Sequence, residues 1–131
     1  QYACSLAQCV GPSMLPTFRE TGDLVLVDRF MRHIIKRVYS KGDIVIAWAP
    51  YDPEKLVCKR IGGCAGDTVK REYKIGNRTI RSDVIVPPGH VWLLGDNPDN
   101  SKDSRHYGPV PEQLISGRVV AKLWWPPQKY A

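Results

Sequence analysis

Two side chains of this sequence have types and settings that can do chemistry. One is Ser13, held in Gly11-Pro12-Ser13-Met14-Leu15-Pro16-Thr17. The two prolines fix φ and remove two backbone donors. The glycine before them permits close approach of another chain. A serine in so stiff a turn can act as a nucleophile if a base reaches it, although Ser-Pro-Gly clusters also build plain turns. The other is Lys59, the odd residue among Leu56, Val57, Cys58 and Ile61. Burial lowers a lysine pKa from about 10.4 toward about 7–8, where the neutral amine can take a proton from a hydroxyl. Ser-Lys pairs are a known alternative to Ser-His-Asp. The competing reading lays the Lys59 stem along the core and leaves its charge in water.

A third stretch, Gly95 to Pro109, concentrates hydrogen-bonding side chains, among them Asp96, Asn97, Ser101, Asp103, Ser104 and Arg105. Such a loop either satisfies its own backbone through Asx and Ser turns or orients a catalytic group from behind. Asp103 and Arg105 can pair. His33, His90 and His106 show no triad spacing, and a Ser13, His90 and Asp96 arrangement stays open on spacing alone. Cys4, Cys9, Cys58 and Cys64 give neither paired C-x-x-C knuckles nor a nearby His pair, so no zinc site is expected, and no cofactor is implied. The cysteines read as small buried thiols or, in an oxidising compartment, as a Cys58–Cys64 or Cys4–Cys9 disulfide.

The elements that must position these residues follow from the punctuation. Eleven prolines and eleven glycines interrupt short β-branched runs, the pattern of a mostly β chain with little helix. Strands are expected at 23–28, buried on both faces, at 43–48, and at 56–61, closed by Gly62-Gly63. Further strands are expected at 68–74 and 78–86 around a Gly76-Asn77 hairpin turn, at 90–94, and at 116–125. Residues 111–115 suit one helical turn. Residues 30–39 suit a short amphipathic helix or a basic loop, a candidate contact for an anionic membrane surface. The tail from Pro126 is expected to fray.

At 131 residues the chain fits one domain, 1–131. Its net charge of +6 favours an anionic partner, nucleic acid or an acidic membrane surface. No apolar run reaches the roughly 20 residues needed to span a bilayer. The start, without Met and mildly apolar through Tyr2 to Ala7, reads as a fragment or processed form whose membrane anchor lies upstream.

Three boxes in order resemble the type I signal peptidases, the Ser-Lys membrane proteases. They are Ser13-Met14-Leu15-Pro16-Thr17, then Lys59 through Asp67, then Gly95-Asp96-Asn97 through Ser101, Asp103-Ser104-Arg105 and Tyr107-Gly108-Pro109. Gly11-Pro12, Cys58 and the absence of a large insert are similar to the branch formed by the first catalytic subunit of the mitochondrial inner membrane peptidase. The resemblance implies a partly open β-barrel or coiled antiparallel sheets with one or two short helices. It implies Ser13 as nucleophile, Lys59 as base, Ser101 orienting the amine, and Asp103 with Arg105 as a bracing ion pair. Many bacterial members carry a serine two residues before the nucleophile; Gly11 stands there, so the oxyanion hole lacks that hydroxyl. An extended substrate would lie along Leu6–Val10 and Leu56–Cys58, with Val10, Met14, Val57 and Cys58 lining its side-chain pockets. Trp124 and Trp125 are candidates for the membrane interface.

The implied function is removal of N-terminal sorting or signal peptides from precursor polypeptides at a membrane surface, with a related second subunit as partner and no nucleic acid. The implied location is the mitochondrial inner membrane, with the domain facing the intermembrane space, or alternatively the outer face of a bacterial plasma membrane. Two rivals are a self-cleaving Ser-Lys repressor-type β-domain and a basic β-barrel that binds nucleic acid. The first lacks a DNA-binding half. The second needs aromatics interleaved with Lys and Arg on one strand face, an arrangement the sequence does not show.

Overall fold

Period-two alternation and glycine-rich turns organise the computed structural model, which describes residues 4–19, 22–29, 39–123 and 128–129. The strands are β1 (Cys4–Cys9), β2 (Asp23–Asp28), β3 (Ile44–Ala49), β4 (Asp52–Cys64), β5 (Thr68–Ile75), β6 (Arg78–Ile85), β7 (His90–Leu94), β8 (Val110–Pro111), β9 (Ile115–Lys122) and β10 (Gln128–Lys129). Among the described residues one short helix, α1, spans Ser104–Tyr107, and single 3-10 turns occupy Pro12–Met14, Pro98–Asn100 and Glu112–Leu114. The main sheet runs β1-β2-β9-β3-β4-β7-β8, with β10 beside β9, and β5-β6 forms a separate hairpin. All the strand pairs are antiparallel. Among the described residues the sheet does not close into a barrel.

β3 is the spine of the core. Ile44 and Ile46 face one cluster with Cys9, Met14, Phe18, Val25, Val27 and Val119. Val45 and Ala47 face the opposite cluster with Ile61, Leu93, Val110 and Ile115. A strand covered on both faces reads as a continuous apolar run, and this one does. β2 differs from its expectation. It alternates, with Asp23, Val25 and Val27 buried and Leu24 exposed, so that Val25 and Val27 pack into the core cluster from one face.

β4 also departs from the reading. Gly62 and Gly63 do not end the strand but lie within its thirteen residues. A Cβ on Gly62 would stand 2.6 Å from Leu94 Cδ1, and one on Gly63 would stand 2.6 Å from Val69 Cγ1. Here glycine marks close packing and a register shift against β7. The Gly76-Asn77 hairpin forms as expected. Residues 30–38 and Trp124-Trp125 lie outside the described residues. Of the tail, Gln128–Lys129 pairs with β9 rather than fraying.

Candidate active site

The turn that carries Ser13 is built by its neighbours. Pro12 opens a 3-10 turn over Pro12–Met14, and Leu15 N donates to Pro12 O at 3.1 Å. Met14 and Phe18 are 2% and 1% exposed. These two anchors seat the turn on the core and leave Ser13 at a cleft of about 360 Å³. Beyond it, Asp23 is buried and receives Arg19 N at 2.9 Å and Arg19 Nε at 2.8 Å, which closes the chain back into β2.

Lys59 lines the same cleft from β4. It is 4% exposed, so the snorkelling alternative does not hold. Burial pushes its pKa down, against the opposing attraction of Asp103. Its Nζ donates to Ser101 Oγ at 3.3 Å, and Ser101 Oγ donates to Asp103 Oδ2 at 2.7 Å. Burial acts to raise the Asp103 carboxyl pKa, but hydrogen bonds from Arg105, Gly95 N and Ser101 reverse this and hold it below the usual carboxylate range. Arg105 grips it through Nε at 2.9 Å and Nη2 at 2.6 Å, the fork geometry that suits a carboxylate. Asp103 also caps α1. Its side chain accepts from Arg105 N, and its backbone N donates to His106 Nδ1 at 3.3 Å.

A second set of contacts ties the two walls together. Asn97 N donates to Ser13 O at 2.8 Å and Asn97 Nδ2 to Pro12 O at 3.0 Å. Asp96 N donates to Met14 Sδ at 3.4 Å. The Asp96 carboxylate accepts from Thr17 Oγ1 and from Arg60 Nε and Nη2, the last two at 2.9 and 2.8 Å. Gly95 N donates to Asp103 Oδ2 at 2.9 Å. Gly95, Asn97 and Arg60 received no individual role from the sequence, and Asp96 only a place in the Ser13, His90 and Asp96 arrangement. The Asn97-Pro98 turn dipeptide was the one local signal for any of them.

The remaining predicted residues also have definite places. Val10, Val57 and Cys58 line the cleft with Ser13 and Lys59. Met14 lines it too, although nearly all of its surface is buried. Gly11 has φ +106°, a conformation that strains any residue with a side chain, although a Cβ there would meet open space. A serine at this position is therefore opposed by the backbone and not by crowding. His90 is not part of the cleft; its Nδ1 lies 2.8 Å from Pro88 O, and Asp96 is engaged by Arg60 and Thr17. The Ser13, His90 and Asp96 arrangement is thereby excluded. Cys9, Cys58 and Cys64 are free thiols, so neither expected disulfide is present. Among the described residues no His, Cys, Asp and Glu cluster could hold a metal.

A family model described as signal peptidase, peptidase S26, matches residues 1–80 and 70–124. Mitochondrial inner membrane protease subunit 1 of Mus musculus is 43% identical over 124 residues, which cover 95% of this chain and 72% of that protein. Mitochondrial ATP-independent inner membrane protease subunit 1a of Arabidopsis thaliana is 41% identical over 132 residues, covering 99% of this chain and 76% of that protein. Mitochondrial inner membrane protease subunit 2 of Schizosaccharomyces pombe is 36% identical over 126 residues, covering 95% and 67%. A solved signal peptidase I from Enterococcus faecalis V583 shares the fold, with a TM-score of 0.51 at 24% identity over 63% of this chain and 97% of that one. Fold and kinship together define a signal-peptide-removing protease. The chain belongs to the signal peptidase family, peptidase S26. That membership displaces both the repressor-type domain and the nucleic-acid-binding barrel.

Proposed function

We propose that residues 1–131 form one catalytic domain that cleaves precursors with a Ser13–Lys59 dyad at the mitochondrial inner membrane, facing the intermembrane space. The observation that carries this reading is the buried Lys59 amine, bonded to Ser101 on the cleft that Ser13 also lines. Lys59, in its neutral form, takes the Ser13 Oγ proton as that oxygen attacks the scissile carbonyl. The tetrahedral oxyanion is held by backbone donors that include Ser13 N–H, because Gly11 supplies no hydroxyl. Each such donor is worth about 2.7–4 kcal/mol in other proteases. Collapse breaks the C–N bond, and the Lys59 ammonium protonates the leaving amine. The N-terminal part of the substrate remains as an ester on Ser13. Lys59, neutral again, then activates water to hydrolyse the ester.

Among the described residues β1 pairs on one side only, as does β4 at Leu56–Cys58, and these edges suit an extended substrate bonded through its main chain. Val10, Met14, Val57 and Cys58 shape the pockets for its side chains. Leu6, Leu24 and Leu123 are exposed, which supports contact with a membrane surface. Among the described residues no helix is long and apolar enough to cross one. Relatives named as subunit 1 and as subunit 2 support a related second subunit as partner.

The test uses purified Ser13→Ala and Lys59→Met proteins and a signal-bearing precursor. Each substitution is expected to lower the cleavage rate by about 10³-fold or more, with circular dichroism unchanged. Normal processing by Lys59→Met would overturn the mechanism.

A further inference from the structure

Two thiols sit in the cleft without a part in this mechanism as proton carriers or nucleophiles. Cys9 closes β1 just upstream of the Ser13 turn, and Cys58 directly precedes Lys59 on β4. Both line the cleft beside Ser13 and Lys59. Cys58 packs against the core cluster that contains Cys9. Both are free. β1 and β4 are not paired with each other; they are the two walls of the cleft.

We propose that Cys9 and Cys58 form a dithiol that peroxide oxidises to a reversible disulfide, which closes the cleft against substrate. Interaction with Cys58 holds the Cys9 thiol below its usual pKa, while interaction with Cys9 and burial hold Cys58 above it. The attacking group is a thiolate, Cys9 in the steps that follow, and the balance is the same with the two thiols exchanged. The Cys9 sulfur displaces hydroxide from hydrogen peroxide and becomes a sulfenic acid. The Cys58 sulfur then attacks the Cys9 sulfur, the S–O bond breaks, and water leaves with the thiol proton. In total the two thiols lose two electrons and two hydrogens, and one peroxide becomes two waters. A small oxidant can enter by the cleft that both thiols line.

Inhibition follows from geometry, and it rests on the reading that substrate lies as a strand between β1 and β4. Neighbouring strands stand about 4.7–4.9 Å apart, so an inserted strand needs its walls about 9.5 Å apart. A disulfide holds its two Cα atoms within about 4.4–6.8 Å. The bridged cleft and the occupied cleft exclude each other. Bound substrate should therefore block oxidation, and oxidation should block cleavage.

The experiment uses the full chain carrying Cys4→Ser and Cys64→Ser, so that only Cys9 and Cys58 remain. Hydrogen peroxide is added with and without a saturating precursor peptide. The expected result is an intact mass lower by two hydrogens, a mapped Cys9–Cys58 peptide, and about tenfold or greater loss of cleavage that dithiothreitol reverses. Further substitution of Cys9→Ser, compared with its own untreated activity, should remove the reversible loss. Peptide should slow bridge formation. A sulfinic product with no bridge, or a bridge that leaves cleavage intact, would overturn the proposal. If the reduced chain cleaves nothing, the proteolytic reading fails, and the dithiol is still decided by mass and by peptide protection.

Discussion

Ser13 and Lys59 face one cleft but are held there by different means. The Ser13 turn is fixed through its main chain, since Ser13 O and Pro12 O accept from Asn97 at 2.8 and 3.0 Å. Lys59 sits within a thirteen-residue strand whose backbone is fixed by β3, and its amine is placed by the side chains of Ser101, Asp103 and Arg105. One wall is set by backbone shape, the other by charge. The difference shows where each is fragile. A turn fails when the chain is pushed, and an ion network fails when one member is deleted. Gly95 belongs to both walls, because its N–H bonds Asp103 and its Cα faces Ser13 O.

The largest effect is expected from the charged wall. Asp103 is fully buried and Arg105 is 16% exposed. Asp103→Ala leaves a half-buried guanidinium without its carboxylate, a loss of about 3–5 kcal/mol, measured by urea unfolding. The sign with pH follows from the depressed carboxyl pKa. The stabilisation from ionised Asp103 is present above the ordinary value of 3.8 and is lost as pH falls through the lowered one. The gap between wild type and Asp103→Asn should therefore narrow under acid. A gap that widens there would mean that Asp103 is not held as an anion.

Next comes Gly95→Ala, which tests whether the walls share a joint. Its Cβ would stand 2.0 Å from Ser101 Oγ and 2.7 Å from Ser13 O. Overpacking of this kind costs about 1–3 kcal/mol, and a shift of about 1 Å in a reacting group can cost about 10²-fold in rate. Both the labelling of Ser13 by a serine-directed phosphonate and the acid limb of the pH–rate profile should change. If only one changes, Gly95 serves a single wall and the joint is refuted.

What was legible in the sequence divides along the same line. The strands and the Gly76-Asn77 hairpin show themselves through period and turn chemistry, which are local. Gly62-Gly63 misleads because the reason for those glycines is Leu94 and Val69, contacts made from elsewhere in the chain. α1 has only four residues and no apolar period, although Asp103 and His106 form its capping box. Ser13 and Lys59 are visible because each is odd in its surroundings. Ser101, Asp103 and Arg105 were assigned through family resemblance, and their bonds now give that assignment a geometry. Gly95 and the Cys9–Cys58 pair carry no local signal, and Asn97 only that of a turn dipeptide, because their parts depend on partners far away in sequence.

The smallest effect concerns stability at Lys59, and it separates the walls most cleanly. Burial lowers the Lys59 pKa, so between the lowered value and the ordinary 10.5 the unfolded chain binds more protons than the folded one. Folding stability from this group is therefore complete above 10.5 and is lost as pH falls through the lowered value. Below that value the fold must keep an ammonium at a site that is 4% exposed. Lys59→Met removes this burden. It should raise the melting temperature under mildly acidic conditions, with about 1 kcal/mol of stabilisation, and the gain should vanish toward alkaline pH. Ser13→Ala, on the wall held by backbone, should show no such pH-dependent gain. Calorimetry of both variants across pH decides the matter. A Lys59→Met protein that melts below wild type under acid would mean that the lysine is held as a satisfied cation, and the division between a shaped wall and a charged one would have to be redrawn.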